Sequence, residues 1–184
     1  MKYELVKTDT KRFEGITLYR IRALVAIGLS VSAGDLGGYV EAEKNLSQTG
    51  DAWVFGDAQV SGDAWVFGDA QVFGNARVSG NAQVSGNAQV FGDAQVSGVA
   101  QVSGNARVQN TSKWLIVGPA KSSGRFITAF IDEKIGVRVV CGCFTGSVLE
   151  FSQQIEKTHA RNKEALEQYR LFCQLIAFNF GVTA

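Results

Sequence analysis

Ten consecutive copies of a six-residue unit occupy the sequence between Gly50 and Gln109. Every copy begins with Gly, nine of the ten continue with Asp or Asn, and all then read Ala-x-Val-x with no insertion between copies. A fixed short period of this kind is typical of a solenoid, in which each repeat stacks on its neighbours. A period of six excludes the pentapeptide-repeat helices and the calcium-binding nonapeptide helices.

The order of residues within a unit predicts which side chains point inward. Ala and Val are two residues apart, so in an extended segment they share one face while their neighbours lie on the other. We therefore predict that Ala and Val point inward and that Gln, Arg, Trp, Ser and Phe point outward. Gly followed by Asn or Asp predicts a corner, because these residues tolerate positive φ. The even period preserves this assignment through every repeat.

The spacing of aromatic residues indicates how many units form one coil. Phe55, Phe73 and Phe91 occupy equivalent outward positions 18 residues apart, which corresponds to three units per coil. Phe67 occupies the same position in another unit and departs from this series. Since one unit cannot bury its inner face alone, we expect each coil to stack on the next at about 4.8 Å.

The unit Val-x-Gly-(Asn/Asp)-Ala-x resembles the hexapeptide motif of left-handed β-helix proteins. This resemblance implies a triangular prism of 18 residues per coil, often assembled as a trimer. Residues 16–27 and 32–54 resemble the start of a prophage-borne hexapeptide-repeat family, the YdcK-like acyltransferases, whose members lack a firmly assigned activity. Residues 141–163 are similar to a C-terminal module of small phage proteins. Together these resemblances imply a phage or prophage origin.

The flanks of the repeats predict two further parts of the chain. We predict an all-β solenoid, a left-handed parallel β-helix over residues 38–115, between a small β cap over 1–37 and an α+β domain over 116–184. The cap would cover the unpaired strand edges at the open end of the solenoid. Such coverage at both ends would prevent end-to-end polymerisation.

The C-terminal part shows both alternating and helical hydrophobic patterns. Alternation predicts a hairpin of two strands, Phe126 to Asp132 and Val137 to Cys143, around the charged turn Asp132, Glu133 and Lys134. Helical periodicity predicts two helices at about 147–159 and 162–179. A hairpin and two helices are enough for a small separate domain.

Charge and cysteine content restrict the classes of function. Lys and Arg number 18 and Asp and Glu number 17, so a net charge of +1 indicates no partnership with nucleic acid or a membrane surface. The three cysteines are too few for a disulfide framework or a paired zinc site, and we predict no metal and no cofactor. The longest apolar stretch is far shorter than a membrane span. We expect a soluble, unprocessed cytoplasmic protein, in the host cytoplasm if the chain is phage-encoded.

Few residues offer catalytic chemistry. The repeats contain no histidine, and the sole histidine, His159, lies near the end of a predicted helix, where a cation suits the helix dipole. Cys141 and Cys143 lie two apart on a predicted strand and are interpreted as small buried groups. The Gly-rich stretch 34–38 lacks the Lys-Ser/Thr of a phosphate loop and predicts a turn. We assign no catalytic residue.

The strongest indication of function is the set of outward aromatic side chains. Phe55, Phe73 and Phe91 would form a ladder on one outer edge, and Trp65 with Phe67 would form a second patch. Soluble proteins seldom expose such a stripe, so another subunit, the C-terminal helices or a partner should cover it. The predicted binding and assembly residues are Phe55, Phe73, Phe91, Trp53, Trp65, Phe67, Gln71 and Gln89.

Three hypotheses of function follow. The first is a non-catalytic, phage- or prophage-encoded protein that forms a homo-oligomer, with a trimer favoured, and binds a host protein or a small signalling molecule, for instance to inhibit a defence system. The second is a hexapeptide-type acyltransferase that uses an acyl-CoA donor at a subunit interface, with His159 or another C-terminal residue contributed by a neighbour. A purely structural role in a particle is less favoured, because both ends of the solenoid are predicted to be capped.

Overall fold

Short parallel strands, one from each repeat, build the solenoid. The computed structural model describes residues 1–110, 113–132 and 134–183. Strand β3 (Leu36–Val40) comes before the repeats. The ten repeat strands are β4 (Trp53–Val54), β5 (Gln59–Val60), β6 (Trp65–Val66), β7 (Gln71–Val72), β8 (Arg77–Val78), β9 (Gln83–Val84), β10 (Gln89–Val90), β11 (Gln95–Val96), β12 (Gln101–Val102) and β13 (Arg107–Val108).

The strands form three parallel sheets, with the orders β3-β5-β8-β11, β4-β7-β10-β13 and β6-β9-β12. Each repeat strand pairs with the strand three repeats later, so that Gln59 faces Arg77 and Val60 faces Val78. Paired residues are thus 18 positions apart, and one coil contains three repeats. The predicted β-solenoid with 18 residues per coil is confirmed.

The interior of the repeats consists of the Ala and Val side chains at the third and fifth positions of each unit, all of which are fully buried. Backbone hydrogen bonds join successive coils. The Gln83 N–H donates to the Ala100 carbonyl at 2.8 Å, and the Ser85 N–H donates to the Val102 carbonyl at 2.9 Å. The inward assignment of Ala and Val is therefore confirmed, and the narrow core is made only of small apolar groups.

Glycine is required at the corners for two reasons, as Gly80 illustrates. Its φ of 68° lies in the left-handed region, which favours glycine. A Cβ at this position would lie 3.0 Å from both the N and the O of Gly98 in the next coil. The repeated Gly therefore permits both the bend and the close stacking of coils.

The N-terminal residues cover the first coil. Strands β1 (Tyr3–Phe13) and β2 (Ile16–Ala23) form an antiparallel hairpin, and β2 pairs with β3, so the hairpin extends the first sheet of the solenoid. The Lys2 Nζ donates to the carbonyls of Gly50 (3.2 Å) and Ala52 (2.8 Å). The buried Tyr3 hydroxyl donates to the Leu46 carbonyl at 2.8 Å. These side chains provide the hydrogen bonds that a preceding coil would otherwise supply, as predicted for a β cap.

The stability of this end should depend on pH through Lys2. Burial lowers the pKa of Lys2 to about 8, although the nearby Asp51 carboxylate acts in the opposite direction. Between pH 8 and 10 the unfolded chain keeps the Lys2 proton, with an ordinary pKa of about 10.4, while the folded chain releases it. The free energy of unfolding should therefore rise by about 1–2 kcal/mol over this range.

Urea unfolding of the wild type, Lys2→Met and the control Lys7→Met at pH 8, 9 and 10, followed by tryptophan fluorescence, tests this expectation. Lys7 is exposed on β1, the strand that Lys2 immediately precedes. The pH range of the experiment ends at pH 10 because of Tyr3, whose pKa is raised by burial. Above about pH 10 tyrosine ionises in the unfolded chain but not at this buried position, which lowers the free energy of unfolding. The increase in the free energy of unfolding between pH 8 and 10 should be absent in Lys2→Met and present in Lys7→Met. The same pH dependence in all three proteins would show that Lys2 is not its cause.

The C-terminal residues form a four-stranded antiparallel sheet and two helices. The sheet order is β14-β15-β16-β17. The elements are β14 (Trp114–Val117), β15 (Ile127–Asp132), β16 (Gly136–Cys141), β17 (Phe144–Ser147), α1 (Val148–Thr158) and α2 (Lys163–Phe180). The predicted hairpin and helices are confirmed, and the structure adds two outer strands, β14 and β17. Of the predicted turn, Glu133 lies outside the described residues.

Local sequence explains where the first helix begins and ends. The Ser147 hydroxyl accepts a hydrogen bond from the Glu150 N–H, while the Glu150 carboxylate accepts one from the Ser147 N–H at 2.7 Å, which is a capping box. The helix buries Phe151 and Ile155, and His159 ends it. In α2 the buried residues include Tyr169, so the apolar faces of both helices contribute to one core with the sheet.

The chain divides into two compact units, Met1–Thr111 and Ser112–Ala184. The first contains the hairpin and the solenoid, and the second contains the sheet β14–β17 with both helices. The division into three parts at residues 37 and 115 stays a prediction. Among the described residues no helix is both long and apolar enough to cross a membrane.

Candidate functional site

Two phenylalanines of the predicted ladder stack on the outer side of the solenoid. Phe73 and Phe91 follow β7 and β10, and their rings lie 4.9 Å apart with an interplanar angle of 10°. The Arg107 guanidinium lies 5.3 Å from the Phe91 ring centre, in a cation–π contact. Both rings are partly exposed. We call Phe73, Phe91 and Arg107 the aromatic strip.

Trp53, a predicted binding residue, does not contribute to an open surface. Only 1% of this side chain is exposed, because the N-terminal segment covers it and Tyr3 packs edge-on against its ring at 6.1 Å. Residues 50 positions earlier in the chain thus bury Trp53 within the same unit. Its predicted part in binding or assembly stays a prediction.

Phe55 and Gln71 lie beside this covered region. With Asp51 and Asp69 they line an open groove of about 340 Å³ whose other side is the segment 27–31. Phe55 is partly buried. Gln89 pairs in register with Gln71 and continues the column toward Arg107. The predicted ladder of three rings thus consists of one stacked pair and a third ring beside the N-terminal segment.

The second predicted patch lies on a different sheet. Trp65 and Phe67 stack with ring centres 4.0 Å apart, and 42% of Trp65 is exposed. Trp65 belongs to the sheet β6-β9-β12, whereas the aromatic strip borders β4-β7-β10-β13. The solenoid therefore presents two separate aromatic surfaces.

The outer face of the first sheet is partly covered by the N-terminal hairpin. Phe13 at the hairpin tip lies against the Arg77 guanidinium, 4.3 Å from the ring centre. Lys11 forms an ion pair with the corner residue Asp57 at 2.5 Å. Between the tip and the sheet lies a polar cleft of about 150 Å³. The sequence predicted a cap at the end of the solenoid but did not indicate this contact with its side.

In the second unit one cavity brings together the three residues that sequence analysis had set aside separately, Cys141, Cys143 and His159, with Tyr169 and Arg125. The cavity has a volume of about 160 Å³. The His159 ring stacks on the Tyr169 ring at 4.7 Å with an interplanar angle of 17°. The Tyr169 hydroxyl lies 3.0 Å from the Ser123 hydroxyl. Because these residues span five elements or loops, local sequence patterns could not indicate the cluster.

The buried thiols of this unit are held in their protonated form. Burial raises the pKa of Cys141, although the Arg125 charge and a hydrogen bond from Tyr169 act in the opposite direction. Burial raises the pKa of Cys173 to about 11. Cys143 is exposed. Within the part of the chain that the structure describes, no three His, Cys, Asp or Glu residues are placed to hold a metal ion.

A family model described as the YdcK beta solenoid repeat matches residues 70–86, 82–98 and 100–112. The repeats are similar to the YdcK solenoid. The matched segments overlap the repeats between residues 70 and 109, so the predicted resemblance is confirmed for the repeat, and it supports the fold rather than an activity. No curated protein matches the chain.

The YdcK-like repeats thus provide a rigid support, and the candidate functional groups lie on its surface or in the second unit. The uninterrupted repeats include no histidine. The only histidine of the chain lies in the cavity of the second unit, where it stacks on a tyrosine. The solenoid is therefore suited to surface contacts, and polar chemistry is concentrated in the second unit.

Proposed function

We propose that this chain is a non-catalytic binding protein, encoded by a phage or prophage, that assembles into a homo-oligomer through the aromatic strip. The observation that carries this proposal is the stacked, partly exposed pair Phe73 and Phe91 on an otherwise polar face. A trimer is the expected assembly, because the resemblance to hexapeptide-repeat proteins implies one.

The solenoid is well suited to hold such a contact surface. Each ring follows a strand whose Val is fully buried, and each backbone N–H of the pair donates across the coils: Phe73 to Val90 and Phe91 to Val108, both at 2.9 Å. The rings are therefore ordered before association, which reduces the entropy lost on binding. Symmetry presents the same strip on every subunit.

The two partly exposed rings contribute part of the energy of assembly. Full burial of a phenylalanine side chain contributes about 1.5–3 kcal/mol, so covering the partly exposed remainder of each ring contributes at most about 1 kcal/mol. Several such rings meet in a symmetric interface, and their sum must exceed the cost of lost translation and rotation. Arg107 adds a hydrogen-bonding group at the edge of the strip, and arginine is enriched at interfaces.

The second patch, Trp65 with Phe67, supports the binding part of the proposal. It lies on another sheet and remains available when the strip is occupied. Tryptophan is enriched among the residues that contribute most to protein–protein binding, and here the exposed Trp65 indole stacks on the Phe67 ring. We propose that this patch binds a host protein or, alternatively, a small signalling molecule.

Replacing Phe73 by Ser tests the assembly. Ser occupies the same position in other repeats, so the coil should remain intact while self-association weakens at least tenfold. Light scattering should give the wild type a mass near three times 19.8 kDa and the variant a smaller mass at the same concentration. Circular dichroism should be unchanged.

The control is Phe67→Ser, which makes the same substitution at the same position of a repeat on another sheet. Its mass should equal that of the wild type. A monomeric wild type, or a Phe73→Ser variant of unchanged mass, would show that the strip is not the assembly surface.

Acyl transfer is the alternative function. Measuring the binding of acetyl coenzyme A distinguishes it from the non-catalytic proposal. The absence of histidine from the repeats supports the non-catalytic proposal. Calorimetry with acetyl coenzyme A should detect no binding, whereas saturable micromolar binding lost in His159→Gln would favour the enzyme.

A further inference from the structure

The cavity in the second unit lies where α1 ends against the turn between β16 and β17. It has a volume of about 160 Å³ and is partly open to solvent. Its wall combines aromatic rings, two thiols and a single guanidinium. This combination plays no part in the proposed assembly of the solenoid, which depends on residues of the first unit.

The aromatic wall is rigid. Tyr169 is buried and packs edge-on against Phe151 at 6.2 Å, and Phe144 packs against Phe151 at 5.1 Å. The hydrogen bond to Ser123 holds the Tyr169 hydroxyl. His159 stacks on the same tyrosine and is only partly buried, so its ring forms part of the accessible wall. A planar ligand can therefore add to an existing stack without rearranging the core.

Among the described residues that line the cavity, with His159 counted as neutral, Arg125 alone carries a formal charge. Its guanidinium rests on Gly142, where a Cβ would lie 3.1 Å from Cζ. Among the described residues no carboxylate forms an ion pair with Arg125. The acidic residues of α1 are engaged elsewhere: Glu150 caps the helix, and Glu156 accepts two hydrogen bonds from Arg170, at 2.7 and 2.8 Å. The cavity thus has positive charge that no described residue neutralises.

Size and charge together define the class of ligand. An apolar cavity of about 150 Å³ holds a benzene ring. A guanidinium binds a carboxylate through two parallel hydrogen bonds. We propose that this cavity binds a small planar organic anion, a monocyclic aromatic or heteroaromatic carboxylate, with its ring on the His159–Tyr169 stack and its carboxylate on Arg125.

Titration with sodium benzoate at constant pH tests the proposal. The chain has one histidine, so its imidazole proton resonances report directly on the cavity. Benzoate should shift them saturably, whereas benzyl alcohol, which keeps the ring and lacks the charge, should bind at least tenfold more weakly. A tenfold difference corresponds to about 1.4 kcal/mol.

Arg125→Gln should weaken benzoate binding at least tenfold, with unchanged circular dichroism. The control, Lys121→Gln, removes an exposed positive charge of the same unit and should bind benzoate as the wild type does. Equal affinity of Arg125→Gln and the wild type would overturn the proposal, as would a His159 spectrum that millimolar benzoate leaves unchanged.

Protection of Cys143 provides a test in the unaltered protein. Cys143 lines the cavity and is exposed, while Cys173 is buried, does not line the cavity and serves as an internal reference. Saturating benzoate should slow alkylation of Cys143 by iodoacetamide at least threefold, as measured by mass spectrometry of peptides. An unchanged rate would contradict binding in this cavity. Since neither readout depends on the aromatic strip, failure of this proposal and failure of the assembly proposal are distinguishable.

Discussion

We expect Val84→Asp to unfold the coils around it, whereas Gln83→Lys, one residue earlier, leaves stability almost unchanged. Val84 is fully buried and pairs in register with Val66 and Val102, so its side chain occupies the middle of an apolar column. Gln83 is exposed. The two positions differ only in the direction of the side chain.

The size of the effect follows from the composition of the core. The column offers no hydrogen-bond donor or opposite charge near position 84, because Ala and Val fill it. An uncompensated buried charge costs about 3–5 kcal/mol, which is a large part of a typical stability of about 5–15 kcal/mol. An exposed substitution usually changes stability by less than about 0.5 kcal/mol.

Thermal and urea unfolding, followed by circular dichroism, compare the two variants with the wild type. Val84→Thr is a useful intermediate, because it keeps the shape of the side chain and adds a neutral hydroxyl. We expect the order of stability wild type, Gln83→Lys, Val84→Thr and Val84→Asp. Equal midpoints for Gln83→Lys and Val84→Asp would refute the assignment of inward and outward positions.

Arg138→Leu should destabilise the second unit by about 3–5 kcal/mol, because it leaves a buried carboxylate without its cation. The Asp132 side chain is fully buried, and its carboxylate accepts a hydrogen bond from the Arg138 Nε at 2.7 Å. The Lys134 N–H donates to the same carboxylate at 2.9 Å. These bonds close the turn between β15 and β16.

The double variant Asp132→Asn with Arg138→Leu separates loss of the charge pair from loss of packing. It removes both charges and should recover part of the stability that Arg138→Leu loses. Both α-helices lie in the second unit, so ellipticity at 222 nm during urea unfolding follows this unit. A double variant less stable than Arg138→Leu would show that the ion pair is not the cause.

The Asp132–Arg138 ion pair also makes the stability of the second unit depend on pH under acidic conditions. Burial acts to raise the pKa of Asp132, but hydrogen bonds from Arg138 and the backbone of residues 134 and 135 outweigh it, so the pKa lies below its ordinary value. The stabilisation is therefore complete above about pH 4 and decreases as pH falls through the lowered pKa. In Arg138→Leu this acid loss should shrink or reverse, because protonation of Asp132 then removes an unpaired buried charge, which unfolding curves between pH 3 and 6 would show.

Local sequence was sufficient for the repeated part of the fold. Inward Ala and Val and the corner glycines follow from a period of six, because every repeat imposes the same backbone geometry on the next. The coil of 18 residues follows from the spacing of Phe55, Phe73 and Phe91. The helices were also predictable: 147–159 and 162–179 were expected, and Val148–Thr158 and Lys163–Phe180 are observed. Periodicity and capping residues determine these boundaries without help from distant segments.

Only the tertiary structure decided which outward residues are accessible and where polar groups meet. Trp53 and Trp65 occupy identical positions in identical repeats. Trp53 is nevertheless buried, because Tyr3 packs against it, whereas Trp65 is exposed. The cavity of the second unit likewise joins Arg125 to His159 and Tyr169. A local pattern specifies the direction of a side chain relative to its own strand or helix. It contains no information on which distant segment will pack against that side chain, and that packing determines the candidate binding surfaces of this protein.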